Sequence, residues 1–272
     1  MGNLLERIKM FVRLAETLDD KKLLKDELHD YFIEDKGDLS EKAVDLIYQR
    51  LPSHLSISRD EVKNFMLSLP RGSVFFGNKE IKLKDHPELV NLLGQVQRTD
   101  YHPEYDSLVH TLKTLEKSKY YNPKVQYSTL THDLGKGLTP DDMLPKHHGH
   151  EGSGVPLVEN MSSRLNIPED TKNLAKNVAR DHLNFHKGLD LNPKTLRKLL
   201  KHYTKDELTQ ALQASKSDAQ GRLGFENKEY PQEAFFQDLS NNLSESELNE
   251  ENQKEVAKIH NKINELKNKY KK

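Results

Sequence analysis

Histidine and aspartate are the residues through which this chain can do chemistry. Ten of its thirteen histidines fall from His86 to His202, well under half of the 272 residues. Cysteine is absent, which removes a thiol nucleophile, a disulfide framework and thiolate or iron–sulfur ligation together. Any metal must therefore rest on imidazole and carboxylate, donors that suit a divalent first-row ion. The candidates are His110, the pair His132-Asp133, the run Lys146-His147-His148-Gly149-His150-Glu151, and Asp181-His182 with His186. A last acid, Asp218, precedes Gly221-Arg222 in the stretch SDAQGRLGF. An ion held by such residues polarises a phosphoryl oxygen and brings the pKa of water toward neutrality, supplying a nucleophile without serine or cysteine.

Helical spacing says how the first of these could meet. Leu108, Val109, Leu112 and Leu115 give a helix over 104–119 an apolar face, Asn122-Pro123 marks a turn, and a second helix fits 125–134. In an antiparallel pair, His110 and His132-Asp133 arrive at one level. His182 and His186 stand four apart and share a helical face. Gly135 and Gly137 end the second helix and let backbone approach a substrate. His102-Pro103 reads as a helix start. His86, His102, His186 and His202 read as structural, and at least one of His147 and His148 as lying outside the chemistry.

The rest of the chain is also helical in pattern. Leu4, Leu5, Ile8, Phe11, Val12 and Ala15, then Leu23, Leu24, Leu28, Tyr31 and Phe32, then Ala43, Val44, Ile47 and Leu51 predict short helices. Asp19-Asp20 reads as a charged linker. Ser58 with Glu61 has the form of a capping box, and residues 74–84 predict a small β-ribbon turning at Gly77-Asn78. In the polar tail, Val256, Ile259, Ile263, Leu266 and Tyr270 form a heptad-like seam, read equally as a dimer contact or as a helix packed back on the body. The expected fold is all-α, in three parts: an N-terminal helical region over 1–84, a chemistry-bearing region over 85–239 and a charged C-terminal helix over 240–272.

Forty-two Lys and Arg against 43 Asp and Glu leave no whole-chain field for nucleic acid. A local basic face could still serve, and Lys194, Arg197, Lys198, Lys201 and Lys205 recur at helical spacing; a solvated cationic face is the plainer reading. Mean hydropathy is -0.85, and the opening MGNLLERIKM lacks the apolar core of a secretory signal, so no membrane span and a cytoplasmic location are expected.

Taken together, His110, His132-Asp133, His150, His182 and Asp218 follow the order H…HD…H…H…D, which resembles the metal-dependent phosphohydrolase superfamily named for its His-Asp pair. The stretches DYHPEYDSLVHTL, LTHDLGKGLTPDDMLPKHHGHEGSGVPLVE, VARDHLNFH and SDAQGRLGFENKEYP narrow the likeness to the HD domain of bacterial multifunctional CCA proteins, tRNA nucleotidyltransferases with a C-terminal phosphohydrolase domain. The likeness covers roughly Asp85 to Pro231. It implies an HD helical bundle with 2′,3′-cyclic phosphodiesterase, 2′-nucleotidase and phosphatase activities supported by one or two divalent ions (Ni, Mn, Mg or Co).

On that basis His110, His132, Asp133 and Asp218 are expected as ligands. His150 and His182 are expected either as ligands of a second ion or as groups that contact phosphate or protonate the leaving oxygen. Lys136 and Arg222 are expected at phosphate oxygens. The substrate would be a nucleotide or an RNA 3′ end, particularly of tRNA. A nucleotidase or cyclic signalling-nucleotide phosphodiesterase, and a non-catalytic RNA-binding or interaction module, are the competing readings. The nucleotidyltransferase head of those proteins has no counterpart, because Gly72-Ser73 is not followed by an Asp-x-Asp pair, so CCA addition is not expected.

Overall fold

A computed structural model describes residues 2–271. A long helix α1 (Gly2–Leu28) runs into a π turn (His29–Ile33), and α2 (Glu41–Arg50) and α3 (Arg59–Leu67) follow. An antiparallel hairpin, β1 (Ser73–Phe76) with β2 (Lys79–Lys82), turns at Gly77-Asn78, where Gly77 takes φ +54°. A short α4 (Pro87–Val90) leads to α5 (Ser107–Ser118), α6 (Pro123–Thr131), α7 (His150–Arg164), α8 (Glu169–His186), α9 (Pro193–Leu200) and α10 (Lys205–Gln220). The chain closes with α11 (Pro231–Asn242), α12 (Glu245–Asn249) and α13 (Gln253–Tyr270). The fold is mostly all-α, with the expected ribbon as its only sheet among the described residues.

Helix α6 is the axis of the bundle, with α5, α8 and α10 packed on it and α7 on α8. Every residue from Val125 to Thr131 is buried although three carry aliphatic hydroxyls. Those hydroxyls turn back on their own helix: Ser128, Thr129 and Thr131 donate to the carbonyls of Lys124, Val125 and Tyr127 at 2.8, 2.8 and 2.9 Å. These three are thereby satisfied without leaving the helix, while the Tyr127 hydroxyl meets Ser162 of α7 and Gln126 accepts the Gly77 N–H, so the helix can hold a central place.

One apolar core runs from Leu24 of α1 through the hairpin and α5–α7 to Leu223, and a second joins α8–α11 to Ile259, Ile263 and Leu266 of α13. The C-terminal seam is therefore taken up against the body rather than presented to a second copy. Several expectations need correction. The first apolar groups lie on one continuous helix, and Leu4, Leu5, Ile8, Phe11 and Val12 are exposed while Leu24 and Leu28 are buried. Asp20 is not in a linker but buried within α1. Asn122 and Pro123 are the cap and first residue of α6 rather than a free turn. Helix α5 starts at Ser107, not Glu104, because the Asp106 carboxylate accepts the N–H groups of Leu108 and Val109 and fixes the cap there.

The short helix α4 is tied to α7 by an ion pair. Glu88, 8% exposed, accepts from both terminal nitrogens of Arg164 at 2.8 and 2.6 Å. Burial favours the neutral acid, but Arg164 and the residue's own backbone N–H outweigh it and hold the carboxyl below its ordinary 4.5. A depressed folded-state pKa contributes stability that is complete above the ordinary value and is lost as pH falls below it. Glu88→Gln is expected to cost about 1–2 kcal/mol at neutral pH. Urea denaturation repeated at about pH 3.5 should show that gap closing; an equal gap at both pH values would count against the pair.

Candidate metal centre

Six of the expected side chains converge where α5, α6, α7, α8 and α10 meet. His110 comes from α5, His132 caps the end of α6, and Asp133 follows it into a 3-10 turn (Leu134–Leu138). His150 opens α7, His182 lies in α8, and Asp218 lies in the last turn of α10 rather than capping a helix. None is more than 6% exposed.

Asp133 is the hub. Its Oδ2 is 3.1 Å from His132 Nε2 and 3.8 Å from His110 Nε2, while its Oδ1 is 3.2 Å from His150 Nε2 and 3.6 Å from His182 Nε2. Asp218 closes the first side, with Oδ1 3.0 Å from His110 Nε2 and Oδ2 3.8 Å from His132 Nε2. Ligands about 2.1 Å from one ion stand roughly 3.0–3.4 Å apart, so these spacings suit a cation.

The protonation pattern sharpens this. His132 Nδ1 lies 2.7 Å from the carbonyl of Thr129, His150 Nδ1 2.6 Å from that of His147, and His182 Nδ1 3.1 Å from that of Ala179. A carbonyl can only accept, so each Nδ1 carries the proton and each Nε2 turns a lone pair inward. All three anchors lie three residues back along the chain. His150 Nε2 and His182 Nε2 then face each other at 3.3 Å with Asp133 Oδ1 beside them: three acceptors and no donor. His132 Nε2 and Asp133 Oδ1 are buried without a protein hydrogen-bond partner. Such a set fits a divalent ion held by imidazole nitrogen and carboxylate oxygen, with the ring anchors that metal-binding histidines use. Three triads among the described residues have this geometry: His110, His132 and Asp133; Asp133, His150 and His182; and His102, Glu104 and His110.

Charge supports the same reading. Burial alone would raise both aspartates, yet the Lys136 ammonium on Asp133, and His186 and His110 on Asp218, hold both carboxyls well below the carboxylate range. His182 is pushed down by burial and stays neutral. His110 is pushed up to about 9: burial opposes its charging, but bonds to Asp218 and Glu104 prevail.

Other expected residues are placed differently. Lys136 Nζ is 2.6 Å from Asp133 Oδ2 and 2.5 Å from Gln97 Oε1, so its ammonium already serves the hub rather than standing free for phosphate. Arg222 Nη2 is 3.5 Å from Asp218 Oδ1, and its Nε is buried without a partner. Gly135 lets α7, not substrate, come close: a methyl group there would overlap the His150 carbonyl oxygen. Arg197 leaves the basic face altogether, being buried and donating to the carbonyls of Glu247, Leu248 and Glu250. His147 bonds Thr139 and the Val96 carbonyl, and His148 is exposed. His86 and His202 lie apart, His202 on Asp181 at 3.3 Å.

Two histidines read as structural belong here instead. His186 Nε2 donates to Asp218 Oδ2 at 2.6 Å, while its Nδ1 is 3.3 Å from the Tyr230 hydroxyl. His102 packs edge-on against His110, ring centres 4.6 Å apart. Glu104 was missed entirely: fully buried, it lies 2.8 Å from His110 Nδ1, off the line of an ideal hydrogen bond, and 3.1 Å from His102 Nδ1. The HPE run around it held the only signal.

Proteins called multifunctional CCA proteins match this chain. That of Paraburkholderia phytofirmans is 43% identical over 152 residues, 54% of this chain and 37% of the relative. That of Acinetobacter baylyi is 45% identical over 156 residues, 55% and 38%, and that of Ralstonia nicotianae 43% over 152 residues, 54% and 35%. The chain thus spans little more than a third of these relatives, in their C-terminal part. No family model matches the chain. No solved structure matches it either. No described helix is long and apolar enough to cross a membrane.

The tight seat of α7 on the turn after Asp133 is testable. Gly135→Ala forces His150 away and is expected to lose at least ~3 kcal/mol. Gly152→Ala, in the same helix with nothing within 4 Å of the added carbon, should hold or gain about 0.5–1 kcal/mol. Melting temperatures of the two variants decide it; similar values for both would show that the packing is loose.

Proposed function

We propose that this chain is a metal-dependent phosphohydrolase acting on 2′,3′-cyclic phosphates and 2′-phosphomonoesters of nucleotides or of RNA 3′ ends, tRNA among them. The observation that carries the reading is the convergence of fixed imidazole lone pairs on both oxygens of Asp133. The HDLGKG and KHHGHE runs, with their likeness to the HD domain of CCA proteins, supply the substrate class. A purely structural or RNA-docking role gives no reason to bury acceptors face to face, since buried acceptors without donors are costly.

His110, His132, Asp133 and Asp218 would hold one ion, and Asp133, His150 and His182 a second. The nitrogen-rich donor set favours Ni, Co or Mn over Mg. A divalent ion bound here supplies Lewis acidity toward phosphate and a water acidic near neutral pH. The protein's own part is arrangement. With Nδ1 committed to carbonyls, His150 and His182 present lone pairs, which supports ligation over proton donation. Lys136 keeps Asp133 ionised. Arg222, with its buried unpartnered Nε, is the guanidinium available to a phosphate oxygen, where it offsets charge that grows in the transition state. Lys194, Lys198, Lys201 and Lys205 are exposed and pair with no carboxylate among the described residues, a face suited to an RNA backbone.

Purified protein with Ni²⁺, Co²⁺ or Mn²⁺ is expected to hydrolyse bis-p-nitrophenyl phosphate, 2′,3′-cAMP and 2′-AMP, and Asp133→Asn to lose at least ~100-fold. No turnover with any metal would overturn the proposal. RNA bearing a cyclic end should lose turnover in a Lys198→Ala/Lys201→Ala double variant while 2′,3′-cAMP does not; equal RNA turnover would restrict the substrate to mononucleotides.

A further inference from the structure

His110 differs from the other three imidazoles of the centre. His132, His150 and His182 are each aimed by a carbonyl three residues back. His110 has no such carbonyl; its Nδ1 faces the carboxylate of Glu104 at 2.8 Å. That carboxylate also faces His102 Nδ1 at 3.1 Å and, through Oε2, accepts the backbone N–H of Leu223, the residue after Arg222, at 3.1 Å. Glu104 thus touches both the ring of one candidate ligand and the loop that carries the candidate phosphate arginine.

What holds Glu104 lies outside the site. The following residue, Tyr105, adopts φ +63°, a left-handed backbone rare for a side chain of that size and kept only where its surroundings insist on it. Three bonds do so. Gln97 N–H donates to the Tyr105 carbonyl at 2.7 Å, and Asp106 accepts the Gly94 N–H at 2.7 Å. The Tyr105 hydroxyl donates to Asp20 of α1 at 2.8 Å. Asp20, 7% exposed, is fixed in turn by Arg50 of α2 at 2.8 and 3.0 Å.

We propose that Glu104 is a positioning residue of the metal centre, holding His110 with Nε2 toward Asp133 and Asp218, and that the N-terminal helices hold Glu104 in turn through the Asp20–Tyr105 hydrogen bond. The proposal rests on the metal reading above and gives residues 1–84 a task within it. A carboxylate on the far nitrogen of a ligating imidazole fixes the ring and raises its basicity, and losing such a partner weakens metal binding about tenfold to a hundredfold.

The test is Co²⁺ binding to the full chain, by competition with a chromogenic chelator and by the visible spectrum of the bound ion. Glu104→Gln should raise the Co²⁺ dissociation constant about tenfold to a hundredfold with stoichiometry unchanged and the spectrum shifted. Its melting temperature in chelator should match the parent's, which a merely structural role would not predict. Glu104→Asp should recover part of the affinity. Tyr105→Phe, which deletes one hydroxyl, and Asp20→Asn should move the constant the same way by less.

A constant within about twofold of the parent in Glu104→Gln would overturn the positioning role. Loss of one whole ion would overturn it in favour of direct ligation by His102, Glu104 and His110. Should Glu104→Gln fail to fold, Tyr105→Phe decides, an unchanged constant there overturning the brace. Parent protein that takes up no Co²⁺, Ni²⁺ or Mn²⁺ removes the metal reading and this proposal together; a parent that binds while Glu104→Gln binds equally removes this proposal alone.

Discussion

Two aspartates in a dry interior are the constraint from which the rest of this structure follows. Asp133 and Asp218 are 1% and 3% exposed, and an ionised carboxylate without a partner at such depth costs several kcal/mol. With Glu104 they make three buried acids, and Lys136 and Arg222 are the two cationic side chains that reach them. One negative charge is left over when the imidazoles are neutral. Either a histidine takes a proton, as His110 is inclined to do with Asp218 and Glu104 beside it, or a cation enters. The cluster is thus a net acceptor of positive charge.

The surrounding helices are shaped by the need to deliver those groups without stranding other polar atoms. Helix α6 ends at Thr131, so His132 can spend its Nδ1 proton on the Thr129 carbonyl that the ending helix leaves open. A carbonyl three residues back likewise anchors the rings at the start of α7 and inside α8. Local geometry therefore aims each ring, while tertiary packing brings the rings together. Gly135 is where the two meet, since the backbone of the turn after Asp133 and that of α7 approach too closely for any side chain.

This division explains what the sequence shows and what it hides. His110, His132 and Asp133 are legible because helical spacing brings them to one level, and His150, His182 and Asp218 because the order H…HD…H…H…D resembles that of a known superfamily. The ribbon at Gly77-Asn78 and the capping box at Ser58 are legible because they are local. Glu104 is not, because its importance depends on a left-handed backbone at Tyr105 and on Asp20, 85 residues before that tyrosine. Arg197 misleads for the matching reason: helical spacing puts it with exposed lysines, but its guanidinium meets carbonyls at the end of α12, about fifty residues on. The C-terminal seam was visible as a seam; which surface covers it, α11 and α9 rather than a second copy, is a property of the packed molecule.

The two oxygens of Asp133 are not equivalent. Oδ2 faces His132 and is shared with the Lys136 ammonium at 2.6 Å. Oδ1 has only the two lone pairs of His150 and His182 for company and no donor at all. A cation arriving on the Oδ1 side meets no competing charge and relieves repulsion among three acceptors, whereas one arriving on the Oδ2 side must share its oxygen with lysine. Like charges around one carboxylate weaken each other's hold in proportion to their closeness in a low dielectric. Thus the two halves of the centre, built from similar residues, differ electrostatically because one amine reaches one oxygen and not the other.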